Sequence, residues 1–153
     1  MIVIRDARPQ DEPALVALTG RLALFQVPAW RTAAQITAAD HPILLDALRH
    51  PVPENSIVVA ESPTGTIAGF VFSTTRQDYF TGTAHAHIEI LTVAESAEGQ
   101  GVGRALLAAA EGWARGRGYA HVTLNVFATN ARARAVYERS GYEQETVHYL
   151  KPI

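Results

Sequence analysis

Glu98-Gly-Gln-Gly-Val-Gly-Arg104 sets Gly99, Gly101 and Gly103 between a β-prone apolar run, Ala86 to Val93, and an amphipathic one, Val102 to Trp113. In the second run Val102, Leu106, Ala109 and Trp113 recur at helical spacing, and Gly116 and Gly118 end it. A strand, a short glycine loop and a helix start are the parts of a phosphate site. The first turn of a helix carries N–H groups without partners and the positive end of the dipole. Glycines let the backbone approach an anion with no side chain in between. Spacing sets two other glycine loops aside. A Walker loop ends in Gly-Lys-Ser/Thr, and here Arg104 follows Gly103. A dinucleotide fingerprint reads G-x-G-x-x-G and opens its domain, whereas this loop reads G-x-G-x-G and follows several strands. On the loop alone, a glycine-rich turn with no ligand stays open.

Working outward, Ile2 to Ile4 is a short strand, and Pro9-Gln-Asp-Glu-Pro13 opens a helix with prolines and acids where a first turn accepts them. Leu15, Leu18, Leu22 and Phe25 follow at helical spacing until Pro28, with Gly20 a modest weak point. Residues 29–50 hold a second, less regular helical region, clearest at Ile43 to Leu48 and closed by Pro51-Val-Pro53. The period then changes: Ile57 to Ala60 and Ile67 to Phe72 are strands joined at Ser62-Pro-Thr-Gly65 as a hairpin, and residues 76–84 are a loop. Beyond the glycine loop and its helix come a strand from His121 to Phe127, a helix from Asn130 to Ser140 ending at Gly141, and a last strand from Glu143 to Leu150. The order β-α-α-β-β-β-α-β-α-β, without repeat or linker, predicts one α/β (α+β) domain over residues 1–153, a mixed central sheet flanked by helices.

Composition narrows the function. At 48% hydrophobic and 18% charged residues, the chain has the makings of a folded core and disorder is set aside. There is no cysteine, which removes disulfides, a thiol nucleophile and thiolate metal sites. Met1 leads directly into Ile2-Val-Ile4 and then charges, unlike a signal peptide, and no run is long enough to span a bilayer. A soluble, cytoplasmic protein is expected. Residues 1–98 hold six Lys/Arg against eleven Asp/Glu, and residues 99–153 hold seven against four. A cationic acceptor near the first half and an anionic cofactor near the second would suit that split; two differently solvated faces would produce it equally well. No dense basic run with interleaved aromatics marks nucleic-acid binding.

The loop does not stand alone. Gly101-Val-Gly103 followed by Arg-Ala-Leu-Leu107, the strand Ile88-Glu-Ile-Leu-Thr-Val93, the strand Leu124-Asn-Val126, and Asn130-Ala-Arg-Ala133 with Tyr137 and Gly141-Tyr142 occur in order and at the spacing of one family. On these segments the chain resembles the GNAT superfamily of N-acetyltransferases over essentially its whole length. The resemblance implies acetyl-CoA as acyl donor and co-substrate, with no metal. Its pyrophosphate would lie on Gly99, Gln100, Gly101, Val102, Gly103 and Arg104, and its pantetheine arm along Leu91, Thr92 and Val93, opposite Asn125 and near Asn130. The departure is Glu98, where the family commonly has Arg or Gln; a carboxylate beside a pyrophosphate is unfavourable unless it points outward. The family often dimerises, and the last strand offers an edge for a homodimer.

Amine acetylation needs a neutral amine, a place for the oxyanion and a proton for the leaving thiolate. Tyr137 lies seven residues after Asn130, two helical turns on the same face, so the phenol falls about 10 Å further along. The resemblance makes Tyr137 the general acid; its spacing fits a core tyrosine equally well. His85, His87 and Glu89 alternate along one strand and share a face. By resemblance Glu89 or His87 is the base, with Glu89 preferred; His85, near the start of the strand, reads as a loop-end residue. A structural pair across strands fits either as well, and a His-x-His-x-Glu metal site lacks further ligands. Phe25, Trp30, Tyr79 and Phe80, with His41, are candidates for the acceptor pocket, although large aromatics are usually core. The expected function is acetyl transfer to a small-molecule or peptide amine by direct attack; the rival is an idle acyl-CoA-binding sensor of the same fold.

Overall fold

Alternating apolar residues build a sheet with both faces covered. The computed structural model describes residues 1–153. Strand β1 (Val3–Asp6) is followed by helix α1 (Glu12–Thr19), two short helices α2 (Ala33–Ala38) and α3 (His41–Arg49), and strands β2 (Ser56–Glu61), β3 (Ile67–Gln77) and β4 (Ala84–Val93). Helix α4 (Val102–Gly116), strand β5 (Val122–Leu124) and helix α5 (Ala131–Arg139) complete it. The five strands lie in sequence order, antiparallel from β1 to β4, with β5 parallel to β4. This is the expected mixed sheet in a single α/β domain.

Val59, Phe70, Phe72 and Ile90 pack on one face beneath Leu15 and Leu18 of α1 and Leu44 and Leu48 of α3. Val58, Val71 and Ile88 face the other way, under Leu106, Leu107 and Ala110 of α4. On α4 the buried stripe is Val102, Leu106, Ala110 and Ala114, with Leu107 beside it; Trp113 is half-buried and stacks edge-on with Tyr119 at 5.9 Å. Small alanines keep this helix close to the sheet, and Gly69 on β3 makes the approach closer still. A Cβ at Gly69 would lie 2.7 Å from the Thr92 carbonyl oxygen and 3.1 Å from Leu106 Cδ1.

Some elements depart from the expectation. The first helix passes into a 3-10 turn at Gly20–Ala23, where Gly20 weakens the α pattern. Strand β3 runs on to Gln77, so the loop is confined to residues 78–83, and His85 lies inside β4, buried. Regular β5 is only three residues long, and no strand forms over Glu143–Leu150. Residues 143–150 join no strand although the outer edge of β5 is open, and Val147 and Tyr149 stay exposed. One bulge is functionally placed. Phe72 pairs with Ile90 and Ser73 with Ile88, which leaves Glu89 as an extra residue in β4.

Candidate active site

The cleft exists because β4 keeps only one of its two neighbours. Its ladder to β3 continues to Val93, but its ladder to β5 stops at Ile88–Leu124. Past that point the chain after Leu124 diverges, and the backbone edge of residues 89–93 has no strand beside it. A cleft of about 1220 Å³ opens there, with Leu91, Thr92 and Val93 on one wall and Leu124 and Asn125 on the other. That exceeds the ~300–1,000 Å³ of a typical small-molecule pocket and leaves room for two reactants. An extended arm laid along β4 would find main-chain partners as an added strand does.

At one end of the cleft lies the glycine loop. Gly99 and Gly101 have φ of +72° and +80°, and Gly101 is the N-cap of α4 without any side-chain cap. In this left-handed region a side chain would be strained. The first helical N–H groups, of Val102, Gly103 and Arg104, meet no acceptor within the chain. These donors and the dipole end suit a diphosphate. Gly99, Gly101, Val102, Gly103 and Arg104 all reach the wall, whereas Gln100 turns away and donates from Nε2 to the Ser96 carbonyl at 2.8 Å.

Glu98 also reaches this wall, and it is not alone there. Its Oε1 accepts from Arg21 Nη2 at 2.5 Å and its Oε2 from Arg132 Nη2 at 2.9 Å. Arg21 additionally donates from Nε to the Val93 carbonyl at 2.6 Å. The Arg132 hydrogen bond, helped by the charge of both arginines, holds the Glu98 carboxyl below the usual carboxylate range. Sequence separation hid this ion pair: Arg21 is 77 residues away.

Further along, Tyr137 projects from α5 into the cleft, half-buried, 5.9 Å from Tyr142 in an edge-on pair. Burial pushes its phenol above the ordinary value, so the proton stays on. Asn130 reaches the cleft too, but its Oδ1 is engaged as the α5 cap, accepting from Ala133 N at 3.2 Å. Its amide NH2 is left to act as donor.

Across from Tyr137 stand His87 and Glu89. Thr123 on β5 hydrogen-bonds His87 Nδ1 at 2.7 Å and His85 Nε2 at 3.0 Å. His87 is pushed down to about 4 by burial first and the Arg76 cation second, so its ring is neutral at pH 7. Its Nε2 lies 4.0 Å from Glu89 Oε2. The Glu89 carboxylate is already engaged, with Arg76 Nη2 at 2.8 and 2.9 Å from its two oxygens and the Thr74 hydroxyl donating at 2.7 Å. No three His, Asp or Glu side chains converge as a ligand set.

At the far end Phe25 lines the cleft and stacks on Phe127 at 5.2 Å, but Trp30, Tyr79 and Phe80 do not reach it. Tyr79 and Phe80 sit at the tip of the β3–β4 hairpin, where they extend past the sheet; they are 93% and 77% exposed. His41 is tied to Thr19 at 2.6 Å, away from the cleft. The sequence reading missed Asp40. It lines this end half-buried with no hydrogen-bonding partner for its carboxylate, which burial and then the charge of Glu89 push upward.

No helix in the chain is long and apolar enough to cross a membrane. Among solved structures, one described as an acetyl transferase from Pyrococcus furiosus is similar at 26% identity and a TM-score of 0.79, with 100% of each chain covered. An aminoglycoside antibiotic 6'-N-acetyltransferase from Acinetobacter baumannii is 17% identical with a TM-score of 0.73, over 100% of this chain and 99% of that one. AAC(6')-Iy, solved with the bisubstrate analogue CoA-S-monomethyl-acetylneamine, is 21% identical with a TM-score of 0.71 over 100% and 99%. No curated protein matches the sequence. The acetyltransferase (GNAT) family profile matches residues 23–142, spanning the cleft from the Gly20–Ala23 turn to Tyr142, and the chain belongs to that family.

Proposed function

We propose that the protein transfers the acetyl group of acetyl-CoA to a primary amine of a small-molecule or peptide acceptor, by direct attack in a ternary complex. The observation that carries this reading is the continuity of one cleft. It leads from the unpartnered N–H groups of Val102, Gly103 and Arg104, along the open edge of β4, to the Tyr137 hydroxyl and the His87 ring. Acetyl-CoA supplies the thioester, and the amine attacks it directly; with no cysteine in the chain there is no thiol to carry the acetyl group. The CoA-based analogue in AAC(6')-Iy supports a cofactor of this type in this fold.

Each residue then has a stated task. His87 is neutral, and because the Thr123 hydroxyl donates to the Ala86 carbonyl at 3.5 Å, Nδ1–H donates to Thr123 and Nε2 keeps a lone pair for the amine proton. Glu89, its oxygens engaged by Arg76 and Thr74, contributes negative charge beside the imidazolium that forms. This reverses the preference for Glu89 as base. Tyr137, kept protonated by burial, donates to the departing thiolate. The unpartnered carboxylate of Asp40 receives a second, cationic group of the acceptor at the far end. The protein works in the cytoplasm, and the exposed Val147 and Tyr149 of its last segment suit pairing with a second copy.

Thiol release measured across a panel of amines tests the reading, alongside thermal melting with acetyl-CoA, ATP and NAD. Acetyl-CoA at about 100 times its Kd stabilises by about 2.7 kcal/mol. An idle acyl-CoA sensor would show that protection and release no thiol with any amine. Equal protection by ATP would reduce the loop to a general phosphate site.

A further inference from the structure

Three walls of the cleft meet at one carboxylate. Glu98 immediately precedes the glycine loop, Arg21 belongs to the Gly20–Ala23 turn, and Arg132 lies in the first turn of α5. All three line the cleft at its phosphate end. The two arginines are not equivalent. Arg21 is pinned, with its side chain 21% exposed and its Nε on the Val93 carbonyl. Arg132 is 74% exposed, and its one ion pair is with Glu98, Nη2 to Oε2 at 2.9 Å. A diphosphate on the N–H groups of Val102 to Arg104 would therefore lie near two cations and one anion, and the anion competes with it for the looser cation.

We infer that Glu98 is a built-in competitor for the phosphate site: it holds Arg132, and the diphosphate of the cofactor takes Arg132 from it while Arg21 keeps Glu98 in place. This rests on the acetyl-CoA reading above and adds Arg132 to the phosphate-binding residues. It also gives the departure at position 98 a role. A carboxylate beside the loop screens the arginines against singly charged anions, because a diphosphate brings enough charge to replace it and a monoanion does not. The charge-assisted bond exchanged is partly exposed, so its removal should alter affinity by about three- to tenfold and no more.

The test uses inorganic pyrophosphate and acetyl-CoA as separate calorimetric probes on wild type, Glu98→Gln, Arg132→Gln and the double variant. Glu98→Gln keeps the side-chain shape and loses the charge; it should bind both probes about three- to tenfold more tightly. Arg132→Gln should weaken both. In the Arg132→Gln background the gain from Glu98→Gln should shrink to less than about twofold, since the cation being contested is gone. An equal gain in both backgrounds would mean simple repulsion and overturn the competition. Weaker binding by Glu98→Gln would make the carboxylate a structural tie and overturn it as well. Pyrophosphate carries no thioester, so tighter pyrophosphate binding by Glu98→Gln in a protein that acetylates nothing would reject the proposed function and leave this inference standing.

Discussion

Replacing His87 by Gln should change how stability depends on pH, and the size of the change can be worked out from the cleft. The ring is 5% exposed, bonded through Nδ1 to Thr123, and its basicity falls from 6.5 to about 4 because burial and the Arg76 guanidinium both oppose a second proton. Above pH 6.5 the ring is neutral in both folded and unfolded chains, and the fold keeps its full stability. Between 6.5 and about 4 the unfolded chain binds a proton that the folded ring refuses, so stability is lost as the pH falls through this window. Below about 4 both states are protonated and the loss is complete. The gap corresponds to about 3 kcal/mol, and water at the cleft mouth screens it to about 2 kcal/mol. Urea unfolding of wild type and His87→Gln at pH 7.5 and pH 4.5 reads the contribution of His87 together with its contacts to Glu89 and His85, because titrating groups away from the ring cancel between the two proteins. The variant loses the Thr123 bond at both pH values, so its absolute deficit carries no information. What counts is that the deficit shrinks by about 2 kcal/mol at the lower pH. A deficit equal at the two pH values would refute the neutral, buried imidazole, and with it the case for Nε2 as proton acceptor.

Tyr137→Phe keeps the packing against Tyr142 and deletes one hydroxyl, so kcat should fall about tenfold or more while acetyl-CoA binding by calorimetry is unchanged. An unchanged kcat would leave Tyr137 as core. Asp40→Asn should raise the acceptor KM about fivefold or more for amines carrying a second cationic group and leave the acetyl-CoA KM alone, read from initial rates. Gly69→Ala should cost about 1–3 kcal/mol in chemical denaturation, because the added methyl meets the Thr92 carbonyl at 2.7 Å and a backbone oxygen cannot swing aside.

The parts of this fold that were legible in the sequence are those written in local spacing. Gly99, Gly101 and Gly103 announce a loop and a helix start because each acts on its own backbone. The α1 and α4 helices follow from apolar periodicity, although the stripe on α4 runs through Ala110 and Ala114 where Ala109 and Trp113 were expected. The expected last strand from Glu143 to Leu150 does not form, because a segment's own residues say only that it could pair and not that it does. Aromatic side chains misled for a related reason. Trp30, Tyr79 and Phe80 had the size for a pocket wall, but the hairpin tip carries two of them past the sheet into solvent.

The site shows the same division more sharply. Alternation put His87 and Glu89 on one face, and both do reach the cleft, yet the choice between them as base depends on neighbours that no local spacing reveals. Glu89 is the bulge residue of β4, which brings its carboxylate to Arg76 and Thr74 on β3, 13 and 15 residues away in the chain. Its four side-chain bonds, three on Oε1 and one on Oε2, hold the carboxylate toward β3. His87 faces the opposite situation: Thr123, 36 residues away, engages one nitrogen and leaves the other free, while burial first and then the Arg76 that binds Glu89 keep the ring uncharged. The proposed choice of His87 over Glu89 rests on these neighbours, with Arg76 bound to Glu89 and adding to burial at His87. Arg21 and Arg132 act likewise on Glu98, converting a residue that looked unfavourable beside a diphosphate into one whose charge is already balanced. In each case the residue type was visible in the sequence, and its chemistry was decided by a cation contributed from another element.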